Sequence, residues 1–241
     1  MSIPTETVPV PARVAALAGG AAVTPVWRNG LGGLTFATDD GRHIKLGPRN
    51  LETSTAAEAE RLAWAGGRTP VPRVLAVGAD EDEEWLVTAS LPGRSAVSPE
   101  WIADPAVAVR AVGAGLRALH DALPVADCPF DWGVGVRLTN AAARGIRVPD
   151  ALRTPPPVDV RVVCHGDACC PNTLLDEAGR VTGHVDLGAL GVADRWADIA
   201  VAAMSTEWNY GPGWEDALIA AYGLEPDRER LAYYRALWNA T

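Results

Sequence analysis

The sequence predicts an α+β chain in two lobes, β-rich over residues 1–90 and mainly helical over residues 91–241. Three observations carry that expectation. Short apolar and β-branched runs, cut by glycine and acidic turns, fill the region from Val26 to Ala89. Ser90-Leu91-Pro92-Gly93 then breaks the pattern and reads as a linker. Beyond it, Val109, Val112, Leu116 and Leu119 recur at helical spacing within Ala106 to Leu123.

In chain order, Val26-Trp27-Arg28 leads into Asn29-Gly30-Leu31-Gly32-Gly33, and Leu34 to Ala37 returns as a strand. Glycines at such a hairpin tip let backbone N–H groups approach a phosphate, although ordinary hairpins use glycine too. After the turn Asp39-Asp40-Gly41, a strand from Arg42 to Leu46 carries Lys45. Thr55 to Trp64 reads as a helix, with Glu58 and Glu60 both candidates to face that lysine. Pro70 to Ala76 and Trp85 to Ala89 read as strands around a solvated acidic turn. Asp127 to Pro157 shows no regular pattern and ends in Thr154-Pro155-Pro156-Pro157. Helices are expected from Trp196 to Met204, Gly213 to Tyr222 and Asp227 to Trp238.

Composition narrows the function. A formal net charge of −9 disfavours a nucleic-acid partner, whose phosphates demand basic surface, and is compatible with a cationic ligand. Of 21 basic residues only Lys45 is a lysine, so a compact ammonium has been kept at one place in an arginine-rich chain. The apolar run Val14 to Val23 is too short to span a membrane and lacks a basic flank, so neither a membrane anchor nor a signal peptide is expected. Cys128, Cys164, Cys169 and Cys170 match no paired zinc spacing and read as reduced thiols of a cytoplasmic protein.

The chemistry concentrates in Val162 to Gly188. His165-Gly166-Asp167 is followed five residues after the aspartate by Asn172, and Asp186 sits in an apolar frame. Between them, Thr173 to Leu175, the turn Asp176 to Gly179, and Val181 to Val185 form a hairpin that brings Asn172 and Asp186 together. Two carboxylates and an amide are all oxygen donors, the set that suits magnesium.

This order of parts resembles the aminoglycoside phosphotransferases, antibiotic kinases with a protein-kinase-like two-lobe fold. The resemblance lies in VVCHGDACCPNTLL, HVDLGALGVADRWADIA, LRALH followed by DCPF, TPVPRVL and DRERLAYYRAL, and spans about Trp27 to Leu237. It implies a nucleotide-binding lobe over residues 1–90 and a catalytic, substrate-binding lobe over 91–241. It further implies Asp167 as catalytic base, Asn172 and Asp186 as Mg2+ ligands, and Lys45 with Glu58 on the phosphates of ATP or GTP. Gly30, Gly32 and Gly33 would cover those phosphates, and Ala89, Ser90 and Leu91 would give backbone contacts to the purine. His165, Asp194 and Asp198 take structural parts. The expected partners are a nucleotide and a small-molecule antibiotic, without nucleic acid or membrane, in a monomer or homodimer.

Two departures bear on the acceptor. The segment before His165 is short, and Trp238 and Asn239 stand where kanamycin-type enzymes carry an acidic pair. Motif likeness points to streptomycin 3''-phosphotransferases and actinobacterial self-resistance kinases, which include kinases of nucleoside antibiotics. A metabolic small-molecule kinase for choline, homoserine or a sugar, and a silent nucleotide-binding module, are the competing expectations. Asp131, Asp150, Glu207 and Glu215 are the carboxylates offered for the acceptor pocket.

Overall fold

The computed structural model describes residues 4, 6 and 8–241. The chain forms two compact units, Met1–Gly66 with Pro72–Ser90, and Gly67–Val71 with Leu91–Thr241. The first is an antiparallel sheet with two helices; the second is mainly helical.

In the first unit, α1 (Ala12–Ala18) ends at Gly19, whose left-handed φ of 62° suits a residue without a side chain. Strands β1 (Val23–Arg28), β2 (Leu34–Thr38) and β3 (Arg42–Pro48) follow, then α2 (Thr55–Ala65), β4 (Val74–Ala79) and β5 (Glu83–Ala89). The sheet order is β1-β2-β3-β5-β4. Alternation along β3 sends Ile44 and Leu46 into a core with Phe36, Val87 and Val14 of α1, and turns Lys45 to the opposite side. The strand expected from Pro70 begins only at Val74, because Pro70 and Pro72 offer no N–H to a ladder.

In the second unit, β6 (Arg94–Ser95), α3 (Pro99–Ala103), α4 (Pro105–Ala122), α5 (Val134–Ala143), β7 (Arg161–Cys164), β8 (Thr173–Leu175), β9 (Val181–His184), β10 (Gly191–Asp194), α6 (Trp196–Tyr210), α7 (Glu215–Tyr222) and α8 (Arg228–Ala240) succeed one another. Val109, Val112, Leu116 and Leu119 of α4 are at most 2% exposed. Each contributes about 2 kcal/mol by its burial. Gly113 of α4 lies so near α7 that a Cβ there would stand 2.4 Å from the Leu218 carbonyl oxygen. From Trp196 to Thr206, α6 is buried on every side, so it packs between other elements.

One expectation fails here. The stretch Asp127 to Pro157 is not irregular, since α5 lies inside it. Gly133, Gly135 and two valines lower its helix propensity and hide it from periodicity. Residues 155–160 have no regular structure and lead directly into β7. No helix among the described residues is long and apolar enough to cross a membrane.

Candidate active site

The catalytic motif is built from β7, the loop after it and the β8–β9 hairpin. A short 3-10 turn, Cys170–Asn172, delivers Asn172 to the start of β8. Val185 N–H donates to the Asn172 carbonyl at 3.0 Å, which sets Asp186 next to it at the hairpin's return end. Asp186 adopts φ 65°, a conformation that costs a non-glycine residue about 1–3 kcal/mol and concentrates at functional sites. The carboxamide nitrogen of Asn172 donates to the Asp167 carbonyl at 2.9 Å, so its oxygen is the atom left for a ligand.

Asp167 Oδ1 is sealed from solvent without a hydrogen-bond partner. Burial raises the pKa of this carboxyl, and the nearby charge of Asp186 raises it further. An orphaned buried oxygen, an aimed amide oxygen and a strained aspartate form a donor set of oxygens only, which fits a hard cation such as Mg2+.

The loop itself is held from three sides. His165 Nδ1 accepts from Asp167 N–H at 3.3 Å, and its Nε2 donates to the Val185 carbonyl at 3.0 Å, tying the two aspartate segments together. Asp198 of α6 accepts from the backbone N–H groups of His165 at 2.5 Å and Gly166 at 3.0 Å, and from His120 Nε2 at 3.0 Å. Burial alone would raise the Asp198 pKa; the His120 hydrogen bond and charge, with the Gly166 N–H, hold it below the usual carboxylate range. Ser205, also on α6, accepts from Cys170 N–H at 2.9 Å. Sequence reasoning missed Ser205, whose signal was a polar residue inside an otherwise apolar helix. Asp194 accepts from Trp196 N–H at 3.0 Å and Asp159 N–H at 2.8 Å, capping α6.

All four cysteines are free thiols. His120, Cys164 and Asp198 lie close enough to suggest a metal cluster. Their polar atoms are engaged otherwise: His120 Nδ1 meets the Tyr222 hydroxyl at 2.8 Å, Cys164 donates to the Asp194 carbonyl at 3.5 Å, and burial pushes the Cys164 thiol pKa far up. The trio is a hydrogen-bonded brace.

In the N-terminal unit, Lys45 Nζ meets Glu58 Oε1 at 2.7 Å and Oε2 at 2.9 Å. Glu58 sits in the first turn of α2, capped by Ser54, and is buried, whereas Glu60 is exposed. At the β1–β2 tip, Asn29 Oδ1 accepts from Leu31 N–H at 3.0 Å and Gly33 N–H at 2.7 Å. Gly33 therefore presents no unengaged N–H to a phosphate in this conformation, and Gly30 and Gly32 are the glycines left for that part. Similarly, Ala89 N–H donates to the Arg73 carbonyl and Ser90 N–H to the Gly41 carbonyl, both at 2.9 Å. Any purine contact from this segment falls to Leu91 and to carbonyl groups.

The carboxylates offered for an acceptor pocket are not brought together. Asp131 lines a cavity beside α5, whereas Asp150 pairs with Arg153, Glu207 is exposed, and Glu215 is held by Arg228 and Arg235.

Residues 35–234 match the phosphotransferase enzyme family. An aminoglycoside 3'-phosphotransferase of Streptomyces fradiae is 40% identical over 227 residues, covering 81% of this chain and 84% of that one. A streptomycin 3''-kinase of Streptomyces griseus is 35% identical over 232 residues, with 82% and 84% covered. The structure of aminoglycoside phosphotransferase APH(3'')-Id from Streptomyces rimosus in complex with ADP and streptomycin superposes with a TM-score of 0.71 at 27% identity, covering 95% of this chain and 96% of that one. The chain belongs to the aminoglycoside phosphotransferase family, enzymes of kinase-like fold that phosphorylate hydroxyl groups of antibiotics.

Proposed function

We propose that this chain transfers the γ-phosphoryl group of ATP or GTP to a sugar hydroxyl of an aminoglycoside, with Asp167 as catalytic base and Mg2+ held by Asn172 and Asp186. The observation that carries the reading is the Asp167–Asn172–Asp186 constellation, with its unpartnered oxygen and its strained aspartate. In the reaction, the acceptor hydroxyl oxygen bonds to the γ-phosphorus as the bond to the β–γ bridging oxygen breaks and the nucleoside diphosphate leaves. The hydroxyl proton passes to the Asp167 carboxylate. Mg2+, when bound, supplies positive charge against the phosphate oxygens.

Lys45 takes the nucleotide phosphates as a point charge, and Glu58 fixes its direction. Asp167, raised by burial and by Asp186, is a better base than an exposed aspartate and is held in place by the Asn172 and His165 contacts. The net charge of −9 favours a polycationic acceptor. We place the reaction in the cytoplasm, where nucleoside triphosphates are abundant.

Mass spectrometry of an antibiotic panel incubated with the protein, Mg2+ and either nucleotide tests this. The expected result is one added phosphoryl group on an aminoglycoside such as streptomycin. Phosphorylation of only a nucleoside antibiotic or a metabolite would move the acceptor class. No product on any compound would remove the proposal.

A further inference from the structure

We propose that the cavity at the N-terminus of α5 is a binding site for a small organic carboxylate, whose anionic end is taken by Arg137 and the first-turn N–H groups of the helix. The cavity measures about 520 Å³, within the range of small-molecule sites, and Asp167, Asn172 and Asp186 do not line it. The inference therefore stands apart from the proposed reaction, and either can fail without the other.

Two independent features call for an anion. Gly133, Val134 and Gly135 line the cavity, and the N-terminus of α5 has no side-chain cap, so its orphan N–H groups and the positive end of its dipole are on the wall. Arg137 also lines it, only 3% exposed, with Nε and Nη1 sealed from solvent and without hydrogen-bond partners. Its Nη2 donates to Thr241 Oγ1 at 2.8 Å, and its guanidinium lies 5.3 Å from the Trp132 ring and 5.8 Å from the Trp238 ring. Those stacks steady the cation, but they satisfy no N–H. Burial lowers the Arg137 pKa to about 10, still charged at neutrality. A buried cation without full compensation is costly, and a carboxylate is the planar partner a guanidinium suits.

The remaining wall chooses among anions. Phe130, Trp132, Val158, Val192 and Tyr234 offer apolar and aromatic surface to an organic body. Asp131 and Asp194 line the same space, with the exposed Arg161 at its edge, and the two carboxylates disfavour a dianion such as phosphate. Asp131 Oδ1 accepts from Gly133 N–H at 2.7 Å, Asp194 spends both oxygens on the N–H groups of Trp196 and Asp159, and neither carboxylate pairs with Arg137.

Calorimetric titration and thermal unfolding of the full chain with benzoate, acetate and inorganic phosphate, at constant ionic strength near pH 7, test this. Benzoate is expected to bind saturably and raise Tm, with phosphate at least tenfold weaker. Arg137→Gln should weaken benzoate at least tenfold. Val158→Trp, at a side chain that is 52% exposed on the cavity wall, should do the same with little change in unliganded Tm, and it decides the matter if the glutamine variant does not fold. Absence of saturable binding would leave Arg137 as packing between two tryptophans and overturn the site. Phosphate binding tighter than benzoate would overturn the carboxylate, and undiminished benzoate binding in the variants would overturn the location.

Discussion

Asp167 carries a conflict between catalysis and stability. Its folded pKa is raised by burial and by Asp186. For a carboxyl shifted upward, the folded form holds a proton that the unfolded form has released, so stability is full below the ordinary value of 3.8 and is lost as pH rises through the folded value. At neutrality this raised pKa is a net cost to the ligand-free fold. Asp167→Asn should therefore raise Tm without ligand at pH 7 while lowering kcat about 10²–10⁴-fold, with nucleotide affinity largely kept. A Tm that falls, or turnover that persists, in that variant would remove this account of Asp167. Lys45 and Glu58 pose the complementary case. Lys45→Met leaves a buried carboxylate without its ammonium, which should cost about 1–3 kcal/mol given that the lysine is 28% exposed. Adding Glu58→Gln should restore stability in denaturant titrations yet leave turnover abolished.

At the scale of elements, the catalytic loop depends on a close approach that only glycine permits. Gly166 has φ 87°, and a Cβ on it would lie 2.2 Å from the Ala189 carbonyl oxygen. Gly145 has a similar φ of 75° but nothing within 4 Å. Gly145→Ala should thus cost only the backbone term, about 1 kcal/mol, whereas Gly166→Ala must displace the turn beyond Asp186 and should cost both several degrees of Tm and most of the turnover. Equal losses in the two variants would show that the contact with Ala189 is unimportant.

The same loop explains what the sequence could and could not convey. Asn172 and Asp186 were legible as neighbours because hairpin chemistry fixes their separation locally, through turn residues within a few positions, and His165 and Asp167 were legible as a short motif on the loop before it. Lys45 was legible by composition, and its alternation with Ile44 and Leu46 put it on the side away from the core. The brace from Asp198 and Ser205 depends on contacts more than thirty positions apart, so a single chain gives only the hint of polar residues in an apolar helix. Helix α5 was illegible because glycine and valine suppress its periodic signal, and Arg137 was indistinguishable from nineteen other arginines. Gly33 was assigned to phosphate by its place at a glycine-rich hairpin tip and by the resemblance, and the competing claim of Asn29 on its N–H appears only once the tip is folded.

For the molecule as a whole, a buried histidine that resists protonation while folded should lower stability toward acid. His184 is enclosed, its Nε2 donating to the Gly115 carbonyl at 3.3 Å and its Nδ1 near Thr173 Oγ1 at 3.4 Å. Burial depresses its pKa from 6.5 to about 3, with the neighbouring His165 adding to the effect. A depressed value means that the stability is fully present above the unfolded pKa of 6.5 and is lost as pH falls toward the folded one. In that window the unfolded chain binds a proton that the folded chain refuses, so each pH unit removes about 1.4 kcal/mol. Asp167 acts in the opposite sense above pH 3.8 and offsets part of this slope, and Asp198, depressed, adds to it only nearer that value. Comparing the native protein with His184→Gln isolates the histidine. Urea titrations at pH 7, 6 and 5 should show the native protein losing stability more steeply below pH 6.5, by about 1 kcal/mol per unit relative to the variant. Parallel lines for the two proteins would mean that His184 becomes protonated within the fold.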